Sequence, residues 1–174
     1  MIKVLCIKII DRIKEAGLTQ DILSKHAHVI ATRLGFHEVT DELCSREAHI
    51  ILHLSGEASK YSELYDDLKK VGGIKIRTME FDGKPCPASF LENAGNAAVI
   101  GILVERDTDT VKDVQKVLSS YGCCIRTRLG VNESFNGKPA GLIILELKGD
   151  SQQCCFLAKD LCLLKNVYVR TPVF

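Results

Sequence analysis

The sequence predicts an α+β protein of two tandem βαββαβ units, each with an antiparallel sheet in the strand order 4-1-3-2. Three observations predict it. The first is a duplication. Ile30-Ala31-Thr32-Arg33-Leu34-Gly35 recurs as Ile125-Arg126-Thr127-Arg128-Leu129-Gly130, and Ile50 to Glu57 recurs as Ile143 to Asp150. Leu64, Asp67 and Leu68 recur as Leu157, Asp160 and Leu161, and Arg77-Thr78 as Arg170-Thr171. The period is too long for a solenoid. The second is the order of periodicities within each copy, strand-like, helical, twice strand-like, helical, strand-like. The third is a segment matching nothing in the repeat, Asp82 to Ala97, with Gly83, Pro85, Pro87 and Gly95. It reads as the linker 82–97 between a first domain, 1–81, and a second, 98–174.

In order, Val4 to Ile10 is β-branched and aliphatic, a strand with Leu5, Ile7 and Ile9 on one face. Ala16, Thr19, Ile22, Leu23 and His26 then follow helical spacing, as do Val111, Val114, Val117, Leu118 and Tyr121. Thr110 and Asp113 suggest a capping box at the latter helix. Val29 to Gly35 is the second strand, Phe36 to Ala48 a polar loop, and His49 to Ser55 the third strand. Gly56 turns the chain into a helix with Tyr61, Leu64, Tyr65, Leu68 and Val71 on one side. Gly72-Gly73 ends it, and Ile74 to Phe81 is the fourth strand. This order is the split-βαβ, ferredoxin-like unit. Right-handed crossovers place both helices on one face. The first core is expected to hold Leu5, Ile7, Ile22, Ile30, Ile50, Leu52, Leu54, Leu64 and Leu68.

Formal net charge is +1 over 174 residues, which gives no electrostatic case for nucleic acid or an anionic membrane. No apolar run is long enough to span a bilayer, and the opening residues read as a strand, so a cytoplasmic location is expected. Eight cysteines in such a compartment are expected as small buried hydrophobes rather than disulfides. Cys123-Cys124 and Cys154-Cys155 are adjacent, poor spacing for zinc.

All five histidines, His26, His28, His37, His49 and His53, fall in the first unit. His49 and His53 share one side of a strand but stand about 13 Å apart, too far for one ion. No metal site and no cofactor are therefore expected, and no nucleophile elbow, P-loop or dinucleotide fingerprint points to catalysis. Arg33, Arg77, Arg128 and Arg170 recur in both units on the sheet-edge strands. Strand parity carried from the first core residue places them away from the helices. They are candidate ligand-binding residues, because guanidinium forks suit carboxylates; solvated edge charges and structural ion pairs are the alternatives.

Val99 to Glu105, Leu118-Ser119-Ser120-Tyr121-Gly122 and Arg126 to Val131 resemble the iron-only hydrogenase system regulators. Leu145 to Asp150 is similar to the third strand and turn of the C-terminal domain of nickel-responsive regulators. Both resemblances imply an ACT-like fold, over 98–174 and more loosely over 1–81, and a regulatory role. The nickel family's His-x-His pair is missing: the second strands read Ala31-Thr32-Arg33 and Arg126-Thr127-Arg128. The family's ribbon-helix-helix domain is not expected either, since the first strand begins at once.

The outer faces carry Val4, Cys6 and Ile51 in one unit and Val99, Leu103, Leu142 and Ile144 in the other. Apolar burial is worth roughly 25 cal/mol per Å², so such faces are expected to be covered, by sheets meeting within the chain or across a symmetric dimer. The functional expectation is a non-enzymatic regulator that senses a small effector or docks a partner. An effector is expected at a unit or subunit interface near the turns Asp11 to Glu15 and Glu105 to Thr110. The alternative is a metal-binding protein or enzyme using histidines and cysteines of the first domain.

Overall fold

β-branched strands and amphipathic helices alternate as their periodicities dictate. The computed structural model describes residues 1–39, 44–56, 58–87, 97–172 and 174. The first half contains β1 (Ile2–Ile9), α1 (Arg12–Lys25), β2 (Ile30–Val39), β3 (Cys44–Leu54), α2 (Ala58–Lys69) and β4 (Ile74–Phe81). The second contains β5 (Val99–Glu105), α3 (Thr108–Ser120), β6 (Ile125–Phe135), β7 (Lys138–Leu147), α4 (Ser151–Leu163) and β8 (Val167–Arg170). The sheets run β2-β3-β1-β4 and β6-β7-β5-β8, the expected order read from the other edge. Two compact units result, one of Lys3–Thr78 with Phe174, the other of Met1–Ile2 with Met79–Val173.

Each core lies between a sheet and its two helices. In the first unit Leu5, Ile7, Leu23, Ile50, Leu52, Leu64 and Leu68 are buried, with Ile22 and Ile30 packed at the margin. In the second, Ile100, Ile102, Val114, Leu118, Ile143, Leu145, Leu157 and Leu161 are buried. Aspartates cap three helices: Asp11 accepts from Ile13 N, Asp107 from Thr110 N, and Asp150 from Gln152 N and Gln153 N. The cap of α3 is thus Asp107, not the expected Thr110. The Thr110 hydroxyl instead donates to Asp107 at 2.6 Å.

The strands are longer than the polar composition of Phe36 to Ala48 suggests. β2 runs on to Val39 and β3 begins at Cys44, with Phe36 opposite His49 and His37 opposite Ala48. Backbone pairing extends the hairpin without needing a second apolar face, and the Phe36 and His49 rings stack at 5.2 Å. In the second unit β6 and β7 close through Asn136 (φ 51) and Gly137 (φ 75). Two consecutive positive φ angles make the tight primed turn that suits strand twist.

A bulge corrects the expected orientation of two arginines. The β2–β3 register shifts between Ile30 and Thr32, and the β6–β7 register between Ile125 and Thr127. One extra residue inverts the alternation beyond it. Ile30 and Ile125 lie on the helix-bearing side of their sheets, and so do the exposed Arg33 and Arg128, three residues on. Arg33 reaches Gln20 of α1, and Arg128 donates to Gln115 of α3 at 3.0 Å. Arg77 and Arg170 keep the expected outer orientation: Arg170 stands opposite Gly101, beside Leu103 and Tyr168.

The outer-face aliphatics are buried; Ile51 is 2% exposed and Ile144 1%. In the second unit Met79 and Phe81 lie over Gly101, where an added Cβ would meet them at 3.0 and 3.1 Å. The cysteine expectation holds in part. Cys6, Cys124 and Cys154 are buried thiols, but Cys86 and Cys162 form a disulfide with Cα atoms 5.9 Å apart. The reason is geometric: the start of the expected linker folds back onto α4 and brings the two side chains within bonding range.

Candidate ligand groove of the second unit

The bulge that turns Arg128 toward the helix side also shapes a depression of this unit. Arg128, Gly130 and Asn132 alternate along one face of β6. They stand opposite Leu145, Ile143 and Gly141 of β7. Leu145 and Ile143 belong to the core, so this is the helix-bearing face. Near the edge the first turns of α3 do not cover the sheet, and Val111 remains 37% exposed. A groove of about 250 Å³ is left there, floored by Val104, Val114 and Ile143 and bordered by Arg106, Gln115, Arg128 and Asn132.

Its polar ends are braced. Arg128 donates to the Gln115 side-chain oxygen at 3.0 Å. Arg106, directly after β5, donates to the Asn132 side-chain oxygen, and its backbone N–H to Pro139 O at 3.1 Å. Between the ends, Gly130 and Gly141 add no side chain. A Cβ on Gly130 would meet nothing within 4 Å, and one on Gly141 would lie 3.9 Å from Arg106 Nε. The arrangement presents two guanidinium groups over an aliphatic floor, suited to an organic anion.

A second depression flanks the same β5–α3 turn and has the opposite character. Asp107, Asp109 and Asp113 line it with Thr110, Lys165 and Asn166. Asp107 is held below the ordinary carboxylate value mainly by the Thr110 hydroxyl and amide that donate to it. In the first unit a depression of about 240 Å³ lies among Lys3, Leu5, Leu54, Tyr61, Tyr65 and Thr78.

The four arginines singled out by the repeat are not brought to one point within either unit. Arg33 and Arg77 occupy opposite edge strands of one sheet, Arg128 and Arg170 those of the other. Arg77 donates to its neighbour's carbonyl, Ile76 O, at 2.8 Å. Arg170 is a structural clamp: it donates to Glu80 O (3.1 Å), Lys84 O (2.9 Å) and the Asp82 carboxylate (3.3 Å). Its guanidinium carbon lies 6.0 Å from the Phe81 ring centre. Lys84 beside Asp82 lowers that carboxyl to about 2. Glu146, buried on the outer face of β7, pairs with Arg126 at 3.3 Å and accepts from the Thr127 hydroxyl. Arg106 carries no repeat signal, because its counterpart is Asp11. Its place inside the Glu105–Thr110 turn is the sequence feature that marks it.

Among the described residues the histidines and cysteines form no comparable centre. His26 is buried with Nε2 2.9 Å from Asp67. The Cys123 and Cys124 sulfurs lie 3.8 Å apart, and burial pushes the Cys124 thiol up to about 12, far from a nucleophilic thiolate at neutral pH. Among the described residues no group of three or more His, Cys, Asp or Glu is placed to hold a metal ion. No helix among them is long and apolar enough to cross a membrane.

The βαββαβ order, the antiparallel sheets and the helices on one face settle the fold. Both units have the ferredoxin-like split-βαβ fold. No family model and no curated protein matches the sequence. Solved structures do match. An uncharacterized protein from Thermotoga maritima is 23% identical, covering 45% of this chain and 92% of its own, with a TM-score of 0.39. The acetolactate synthase small subunit from Thermotoga maritima is 7% identical over 99% of this chain and 95% of its own, TM-score 0.39. A putative glycine cleavage system transcriptional repressor is 12% identical over 98% and 97%, TM-score 0.39.

Proposed function

We propose that this chain is a non-enzymatic regulatory module that senses a small organic anion through the groove of its second ACT-like unit. The observation that carries the reading is the pairing of Arg106 and Arg128 at the borders of an aliphatic floor, each guanidinium braced by an amide side chain. Such a site binds and orients a ligand; it presents no nucleophile or general base. Bound ligand stabilises whichever conformation holds the bracing pairs in place, and ligation thereby becomes a change in conformational population.

Calorimetric titration of the full chain with a panel of amino acids, small carboxylates and divalent metals tests this. The expected result is saturable binding of an organic anion that is lost in Arg128→Ala. Binding of a metal alone, or of no small molecule, overturns it.

A further inference from the structure

We infer that the groove takes an α,ω-dicarboxylate without an α-ammonium group, and that only the second unit does so, giving one ligand per chain. The inference rests on the sensing role just proposed and specifies its ligand.

The spacing of the cationic ends comes first. Arg128 and Asn132 are four residues apart on β6, about 13 Å along a strand. Arg128 defines one end, and Arg106, bonded to Asn132, defines the other. An ion pair at each end takes up about 3 Å. The remainder suits an acid of about four to five carbons with a carboxylate at each terminus. Gly130 lies midway on the same face with open space above it, so the aliphatic middle of the ligand meets Val114 and Ile143 without a side chain in the way.

The absence of acids from the lining comes second. Among the described residues no Asp or Glu lines this groove. An α-amino acid would bring an ammonium to a place with two guanidinium groups and no counter-charge. The nearby carboxylates are committed elsewhere: Glu105 accepts from the Tyr168 hydroxyl at 2.7 Å, and Asp109 and Asp113 line the separate acidic depression.

The comparison of the two repeats comes third. The first unit retains the Arg33–Gln20 pair and Gly35 at the positions of Arg128–Gln115 and Gly130. At the position of Arg106 it has Asp11, which caps α1 and lies 3.4 Å from Arg46. The cation at the Arg106 position is therefore replaced by an anion, and the adjacent Arg12 is turned to Ser45 O at 3.0 Å, so the first unit lacks the second end of the clamp.

The test is titration of the full chain with succinate and glutarate, against butyrate as a monocarboxylate and glutamate as an ammonium-bearing analogue. The expected stoichiometry is one. A dicarboxylate should bind about tenfold or more tightly than butyrate, the gain of one charge-assisted hydrogen-bonded contact, and more tightly than glutamate. Arg106→Gln should reduce dicarboxylate affinity to the butyrate level. Gly130→Leu, whose fold is checked by circular dichroism, should abolish binding, and Arg33→Ala should leave it unchanged. Tighter binding of glutamate or butyrate that Gly130→Leu still abolishes, two sites per chain, or equal losses in Arg33→Ala and Arg128→Ala overturn the inference while leaving a sensing groove. No binding by any acid overturns both.

Discussion

Tyr121 donates its phenolic hydrogen to Asp160 at 2.7 Å, joining the end of α3 to α4. His26 and Asp67 hold the same two positions in the first unit, 2.9 Å apart. The duplication thus kept the contact and changed its chemistry. Asp67 also accepts from Lys25 and Lys70, each at 2.7 Å. Those lysines and His26, with Lys25 the largest influence, hold its carboxyl well below the ordinary 3.8. A depressed carboxyl contributes stability above its unfolded value that is lost as pH falls toward the folded one. Asp67→Asn should lower the melting temperature at pH 7. Its melting temperature should also fall less than the wild type's between pH ~5 and pH ~2. Thermal unfolding across that range checks this; parallel curves would refute it.

The contact at Gly101 predicts an overpacking penalty. A side chain there would press on Met79 and Phe81, whose ends lie 3.0 and 3.1 Å from an added Cβ. Gly101→Val should cost about 1–3 kcal/mol in urea unfolding. Gly130→Val, at an open position, should stay within roughly 0.5 kcal/mol of wild type.

Reduction should destabilise the second unit. The Cys86–Cys162 bond closes 76 residues of sequence, and a native disulfide over such a loop contributes about 2–4 kcal/mol. Adding a phosphine reductant should lower the melting temperature, and Cys162→Ser should match the reduced wild type. Peptide mapping under non-reducing conditions should recover the 86–162 cross-link.

Gly137 carries φ 75 in the β6–β7 turn. Gly137→Val should cost about 1–2 kcal/mol from the left-handed backbone penalty. Hydrogen exchange should then accelerate at Phe135 and Lys138, the pair next to the turn.

How much of this was legible from the residues depends on the range over which each feature is encoded. Strand order and the first core are local periodicities repeated twice, and they read directly. Asn136-Gly137 is equally local, but strand alternation passes over it. The bulges at Ala31 and Arg126 leave no mark in composition. They appear as an apolar residue followed three positions later by an inward arginine, which alternation alone cannot distinguish from an outward one. Arg106 needs the fold before its neighbour Asn132, 26 residues away, comes within reach. The Cys86–Cys162 pair depends on a chain reversal that no spacing rule describes.

Both halves carry the same register slip at the same place. The two halves therefore share not only their strand order but also the residue at which the edge strand reverses its alternation. Both halves also keep the arginine–glutamine brace, Arg33–Gln20 and Arg128–Gln115. They part at one position beside it, Asp11 in one copy and Arg106 in the other. Sequences descended from the same fusion should show the slip in both halves even where everything bordering the groove has diverged.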